Sequence, residues 1–255
     1  MRPIPVRINT IRFVLVLLLL TSCAVTQPER IPDTPLRILF IGNSYTFYNG
    51  LPGLFAELVR SGGRDIEVEM AAEAGWTLSD HAAAGGTQAV IQSEDWDYIV
   101  LQEQSVIPSL PEERTLTMYP AVKMLDEMIQ DVGADTVLLM TWGRRDGLPA
   151  EGYPDFDEMQ EQLYTGYTEI GGDVGAIVAP VGLAWQNAIA QDANLALWGS
   201  DGSHPSELGS YLAANVLYAA ILAESPLDLA HTAGLPEGTA SFLRRIAAVT
   251  VLRNE

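Results

Sequence analysis

The chain has 255 residues, is 48% apolar, and sets 33 acidic against 14 basic side chains, a formal charge of −19. That length and apolar content suffice for one sizeable α/β domain. The charge argues against nucleic acid, which needs a basic footprint, and against electrostatic attachment to anionic lipid headgroups.

The first element is a targeting segment. Arg2, Arg7 and Arg12 form a basic start, and residues 13–20 form an apolar core too short to span a bilayer. Leu20-Thr21-Ser22-Cys23 follows and is similar to the bacterial lipobox, in which the cysteine is lipidated and becomes the first mature residue. An ordinary secretory signal with an incidental cysteine is the other reading. Cys23 is the chain's only cysteine, so no intramolecular disulfide forms. Loss of the three arginines leaves 11 bases against 33 acids, a mature charge of −22. The expected layout is a leader over 1–22, a proline-containing tether over 23–35 and one domain over 36–255. This describes an exported protein held to a membrane by a lipid anchor at Cys23.

Beyond the tether, strand and helix signals alternate. Apolar, β-branched runs predict strands at 36–41, 66–70, 97–102, 135–141 and 175–181. Amphipathic stretches predict helices near 51–61, 86–93, 116–131, 155–171, 206–223 and 239–247. Such alternation gives a parallel sheet with helices on both faces, joined by right-handed crossovers. There is no internal repeat, low-complexity tract or long block of like charge.

Two stretches carry chemistry. The first strand runs into Gly42-Asn43-Ser44, which places Ser44 at a strand's carboxyl end, where open α/β sheets bind ligands. Taken alone, these are also common turn residues. The second stretch is Asp201-Gly202-Ser203-His204-Pro205. The spacing lets Asp201 reach back to one imidazole nitrogen of His204 while the other faces a nucleophile. Of the remaining histidines, His81 and His231 read as surface or packing residues. One cysteine and three scattered histidines make no zinc site, so neither metal nor cofactor is implied. Trp76, Trp142, Trp185 and Trp198 read as packing before cleft lining. Arg144 and Arg145, after the fourth strand, read as a solvated loop or as an anion-binding pair.

Gly42-Asn43-Ser44 together with Asp201-x-x-His204 resembles the first and last blocks of the SGNH (GDSL-like) hydrolases, over about residues 37–223. The resemblance implies a three-layer α/β/α, flavodoxin-like fold with a five-stranded parallel sheet in the order 2-1-3-4-5. It also implies a Ser44–His204–Asp201 triad and oxyanion donors from the Ser44 and Gly75 backbone and from residue 104. The family's Gly-x-Asn-Asp block is replaced here: Gln102 stands for the glycine and Gln104 for the asparagine, within Leu101-Gln-Glu-Gln-Ser105. Similarity at Leu101–Ser105, Trp142, Pro180–Trp185 and His204-Pro-Ser206 points to a bacterial branch of unknown function. The implied activity is hydrolysis of a small-molecule, glycan or lipid ester. A surface-binding lipoprotein that keeps this fold without its activity is the competing reading.

Overall fold

The computed structural model describes residues 34–252; the predicted leader and Cys23 lie outside them. In chain order the strands are β1 (Leu36–Gly42), β2 (Ile66–Ala72), β3 (Tyr98–Leu101), β4 (Asp135–Leu139) and β5 (Ile177–Ala179). After β1 come α1 (Ser44–Phe47) and α2 (Leu51–Ser61), and after β2 come α3 (Leu78–Ala83) and α4 (Gly85–Ile91). Between β3 and β4, α5 (Pro111–Glu113) runs through a π turn, Arg114–Met118, into α6 (Tyr119–Asp131). The rest of the chain supplies α7 (Phe156–Val174), α8 (Val181–Gln191), α9 (Glu207–Leu222) and α10 (Glu237–Val251).

All pairings are parallel and the order is β2-β1-β3-β4-β5, as the family resemblance implied. Strand ends are nearly flush: Gly42 pairs with Ala72, Ile41 with Leu101, Leu101 with Leu138 and Leu139 with Ala179. One edge of the sheet therefore collects the loops after all five strands.

Alternation along β1 divides the core. Ile38 and Phe40 face a cluster built with α2, α8, α9 and α10, while Leu39 and Ile41 face one built with α3, α6 and α7. Both faces are covered, which is why these strands read as continuous apolar runs. The edge strand β2 is instead interrupted by Glu67 and Glu69, which guard it against pairing with another chain. Among the described residues, no helix is long and apolar enough to cross a membrane.

Besides the short α1 and α5, two helices, α8 and α3, depart from the sequence reading. Residues 175–181 were expected as strand, but β5 stops at Ala179 and Val181 opens α8. Pro180 supplies no N–H to continue the ladder and sits instead as the residue that leads into the helix. α3 is short but well started: Thr77 accepts from the Asp80 N–H, and the Asp80 carboxylate accepts from the Thr77 N–H.

α9 is apolar almost all round because it is enclosed by α2, α8, α10 and the sheet. It begins at Ser206, whose hydroxyl accepts from the Gly209 N–H. A Cβ at Gly209 would lie 2.4 Å from the Leu197 carbonyl oxygen and 2.6 Å from the Trp185 ring. Alanine normally favours a helix over glycine by roughly 0.5–1 kcal/mol. Here the collision reverses the sign, and Gly209→Ala is expected to cost about 1–3 kcal/mol. The denaturation midpoint in urea checks this; an unchanged or raised midpoint contradicts it.

Candidate active site

The site is assembled around the turn after β1. Asn43, almost fully buried, is tied down three ways. Its N–H donates to Gln102 Oε1 at 2.9 Å, its Nδ2 donates to the Trp76 carbonyl at 2.8 Å, and its Oδ1 accepts from the Tyr45 N–H at 3.1 Å. Gln102 Oε1 also accepts from the Thr46 hydroxyl at 2.8 Å. Gly42 leaves room for this clamp: a Cβ there would lie 2.6 Å from Gln102 Oε1 and 2.4 Å from Thr46 Oγ1. The Gly42 carbonyl accepts from His81 Nε2 at 2.8 Å, which fixes the neutral ring with Nδ1 accepting from the Thr87 hydroxyl at 2.9 Å. Burial holds His81 below the usual imidazole range. His81 is thus a packed residue, but one that braces the turn bearing Ser44.

Ser44 opens a helix of only four residues, and α2 begins seven residues later. Within that turn the Tyr45, Thr46 and Phe47 N–H groups all bond to Asn43, which leaves the Ser44 N–H as its free donor among the described residues. Ser44 Oγ lies 2.8 Å from His204 Nε2. His204 Nδ1 lies 2.6 Å from Asp201 Oδ2. The other Asp201 oxygen accepts the Ser203 and His204 N–H groups at 2.9 and 3.0 Å. Hydrogen bonding to His204, together with those amides, pulls the Asp201 carboxyl down to about 2. It stays ionised, so His204 Nδ1 carries the proton and Nε2 accepts from Ser44.

The loop carrying His204 is fixed from several sides. The Trp142 indole N–H donates to the Ser203 carbonyl at 3.0 Å, and the Arg145 N–H to the Gly202 carbonyl at 2.9 Å. Gly202 has a φ of +68°, which its glycine makes inexpensive. Asn49 also has positive φ, +51°, and its amide spans to the Pro205 carbonyl at 3.0 Å and Ser210 Oγ at 2.9 Å. The Tyr48 ring stacks on the imidazole of His204 at 4.2 Å between centroids, and the Tyr45 hydroxyl meets Ser203 Oγ at 2.7 Å.

Ser44 and His204 open into a cavity of about 650 Å³ that Gly75, Gln104 and Arg144 also line. Among the described residues no acceptor reaches the Ser44 N–H, the Gly75 N–H or Gln104 Nε2. Three donors without partners therefore border one cavity. A Cβ at Gly75 would meet no protein atom, so its glycine answers to a φ of +76° and not to crowding. Gln104 Oε1 accepts from the Val106 and Ile107 N–H groups at 2.7 and 3.3 Å, which orients the carboxamide and leaves its NH₂ to the cavity. Gln102, in contrast, points down into the clamp and away from the cavity. The cavity aromatics are Tyr45, Phe47 and Tyr48. None of the four tryptophans considered from sequence lines it; Trp142 and Trp185 are stacked in the core at 4.3 Å. A second hollow of about 700 Å³, beside Phe156 and Trp198, contains no nucleophile–base pair. Among the described residues no cluster of His, Cys, Asp and Glu is arranged to hold a metal.

With this geometry in view, comparison with solved structures is informative. The chain is 33% identical to an assigned SGNH hydrolase of Slackia heliotrinireducens over 74% of its own length and all of the other chain, at a TM-score of 0.64. This chain belongs to the SGNH hydrolase family. The fold is shared more distantly with a DUF4886 family protein of Bacteroides uniformis (19% identity, 86% and 95% coverage, TM-score 0.69). It is shared too with an acetyl xylan esterase of Geobacillus stearothermophilus (16% identity, 74% and 93% coverage, TM-score 0.55). No family model and no curated protein matches the chain.

This SGNH hydrolase also buries a carboxyl group that sequence reasoning passed over. Glu103 follows β3 with no exposure; its Oε1 accepts from the Leu78 and Gln104 N–H groups at 3.1 and 2.6 Å, and its Oε2 has no partner. Desolvation pushes it up to about 7, against the pull of the two amides. Its folded value thus exceeds its unfolded one, so the folded state retains the proton to higher pH. Stability from this group is full below about pH 4.5, falls as pH rises towards about 7, and is level above that. Glu103→Gln keeps the Oε1 acceptor and is expected to remove this loss, on the order of 3 kcal/mol. Melting curves from pH 4.5 to 8 check it; an equally steep decline in the variant contradicts it.

Proposed function

We propose that this protein is a serine ester hydrolase working through an acyl-enzyme. The observation that carries the reading is the continuous chain Ser44 Oγ–His204 Nε2, 2.8 Å, and His204 Nδ1–Asp201, 2.6 Å, at the wall of an open cavity. His204 removes the Ser44 proton as Ser44 attacks the ester carbonyl. Asp201, ionised, holds the tautomer and stabilises the imidazolium. Negative charge on the carbonyl oxygen is met by the Ser44 and Gly75 N–H groups and the Gln104 amide. Collapse expels the alcohol, protonated by His204, and water then enters by the same route in reverse order of proton transfer. The unbroken Ser44–His204–Asp201 chain of hydrogen bonds supports hydrolysis over an inactive binding surface.

The substrate class is an ester of a small molecule, a glycan or a lipid. In the same proposal, the Leu20–Cys23 stretch directs export and lipidation at Cys23, which holds the domain near a membrane through a tether. Several acyl chains give stable attachment where one is marginal. Cys23→Ser is expected to move the protein from the membrane fraction to the soluble fraction or to stall its processing. Mass spectrometry of an unmodified amino terminus would contradict the anchor.

Activity on short-chain nitrophenyl esters and acetylated sugars tests the chemistry. Ser44→Ala and His204→Ala are each expected to lose about 10⁴-fold or more in kcat, with the double variant losing little further, because the pair acts as a unit. Gln104→Ala is expected to lower kcat about 10²–10³-fold with KM little changed. Near-normal turnover by Ser44→Ala rules the mechanism out.

A further inference from the structure

Arg144 is anomalous in its electrostatic setting. The chain has more than twice as many acids as bases, so carboxylates are plentiful. Six of the described arginines lie within ion-pair distance of one, and Arg245 donates to Gln191 and lies against the Phe242 ring. The Arg144 guanidinium alone among them has neither a carboxylate nor a hydrogen-bond acceptor. Its backbone is fixed after β4, with the N–H donating to Met159 Sδ at 3.3 Å. Its Nε is buried without a partner, so part of the fork is already stripped of water.

The same side chain lines the cavity that holds Ser44, Gln104 and His204. The nearby carboxylate of Asp201 is committed to His204 and two backbone amides. The neighbouring Asp146 is taken by Arg145. The positive charge of Arg144 is felt by the Tyr45 hydroxyl, whose titration it pulls down against the larger, opposing effect of burial. An arginine fork presents paired N–H groups matched to a planar carboxylate. A cavity of about 650 Å³ lies in the range that accommodates small ligands.

We propose that Arg144 makes this cavity a site for esters that carry a second, anionic group: a carboxylate on the substrate seats on the guanidinium while the ester carbonyl lies over Ser44. A monoanion fits better than a phosphate dianion, because the surrounding protein is strongly negative and repels the second charge. Where cleavage is concerned, this rests on the acyl-transfer reading above; where binding is concerned, it does not.

The test pairs monoethyl succinate with its neutral isostere, ethyl succinamate. Wild type is expected to favour the half-ester in kcat/KM by at least about tenfold, the worth of one charge-assisted hydrogen bond. Arg144→Gln abolishes that preference and Arg144→Lys restores part of it. Calorimetry on Ser44→Ala gives a readout free of turnover: monoethyl succinate is expected to bind at least about tenfold more weakly once Arg144→Gln is added. Equal losses for the two esters, or equal binding with and without Arg144, overturn the proposal. Arg144-dependent binding without cleavage of either ester upholds it and instead refutes the acyl-transfer reading.

Discussion

A 2.8 Å hydrogen bond joins Ser44 to His204 across 160 positions of sequence, and the rest of the architecture can be understood as what holds its two ends still. The parallel sheet does the coarse work by delivering the loops after its strands to one edge. Local contacts do the fine work. On the serine side, Gln102 and His81 hold opposite polar groups of the Gly42-Asn43 peptide region, donor and acceptor respectively. On the histidine side, Asn49, Trp142 and Arg145 each reach a backbone carbonyl of residues 202–205. Tyr48 closes the arrangement by stacking on the imidazole. Misplacement by about 1 Å at such a site can cost about 10²-fold in rate, which is why so many buried polar groups are given to positioning.

Three titratable groups around the turn are driven to different states by their surroundings. Asp201 is pulled down by the hydrogen bonds it accepts from His204 and two amides, and remains a carboxylate. Glu103, with no exposure and an oxygen without a partner, is pushed up by desolvation. His81 is held neutral by burial, as its bracing hydrogen bonds require. Carboxylates with opposite shifts, set by environment and not by chemistry, are a recurring pattern at catalytic centres. Of the three, Asp201 bonds directly to His204 of the Ser44–His204 pair, whereas Glu103 accepts from the backbone that carries Gln104.

The strands and the two chemical stretches were legible because they are dense in local signal. β1 is an apolar run ended by glycine, and Asp201-x-x-His204 is a spacing with a direct geometric meaning. The strand order was not contained in periodicity and came with the family resemblance. α8 was missed because the apolar residues 177–185 run through Pro180 without a change of period. α3 was missed because it is short, although Thr77 and Asp80 were its visible start signal. Gln102 and Gln104 looked equivalent as replacements in one motif. Two positions apart, they would share a face if the strand continued; β3 ends at Leu101, and the turn of the chain beyond it sends Gln102 into the clamp and Gln104 to the cavity. Burial of His81 and Glu103 depends on contacts 39 and 25 residues distant, and no local pattern reveals them.

The central claim is that Ser44 is the nucleophile of this SGNH hydrolase, activated by His204. The most direct measurement is peptide mapping after reaction with a fluorophosphonate, which forms a stable bond to an activated serine. The account predicts one adduct, on the peptide containing Ser44, and its loss in His204→Ala, where the serine is no longer activated. An adduct on another serine, or ester hydrolysis by a protein whose Ser44 stays unlabelled, would contradict it.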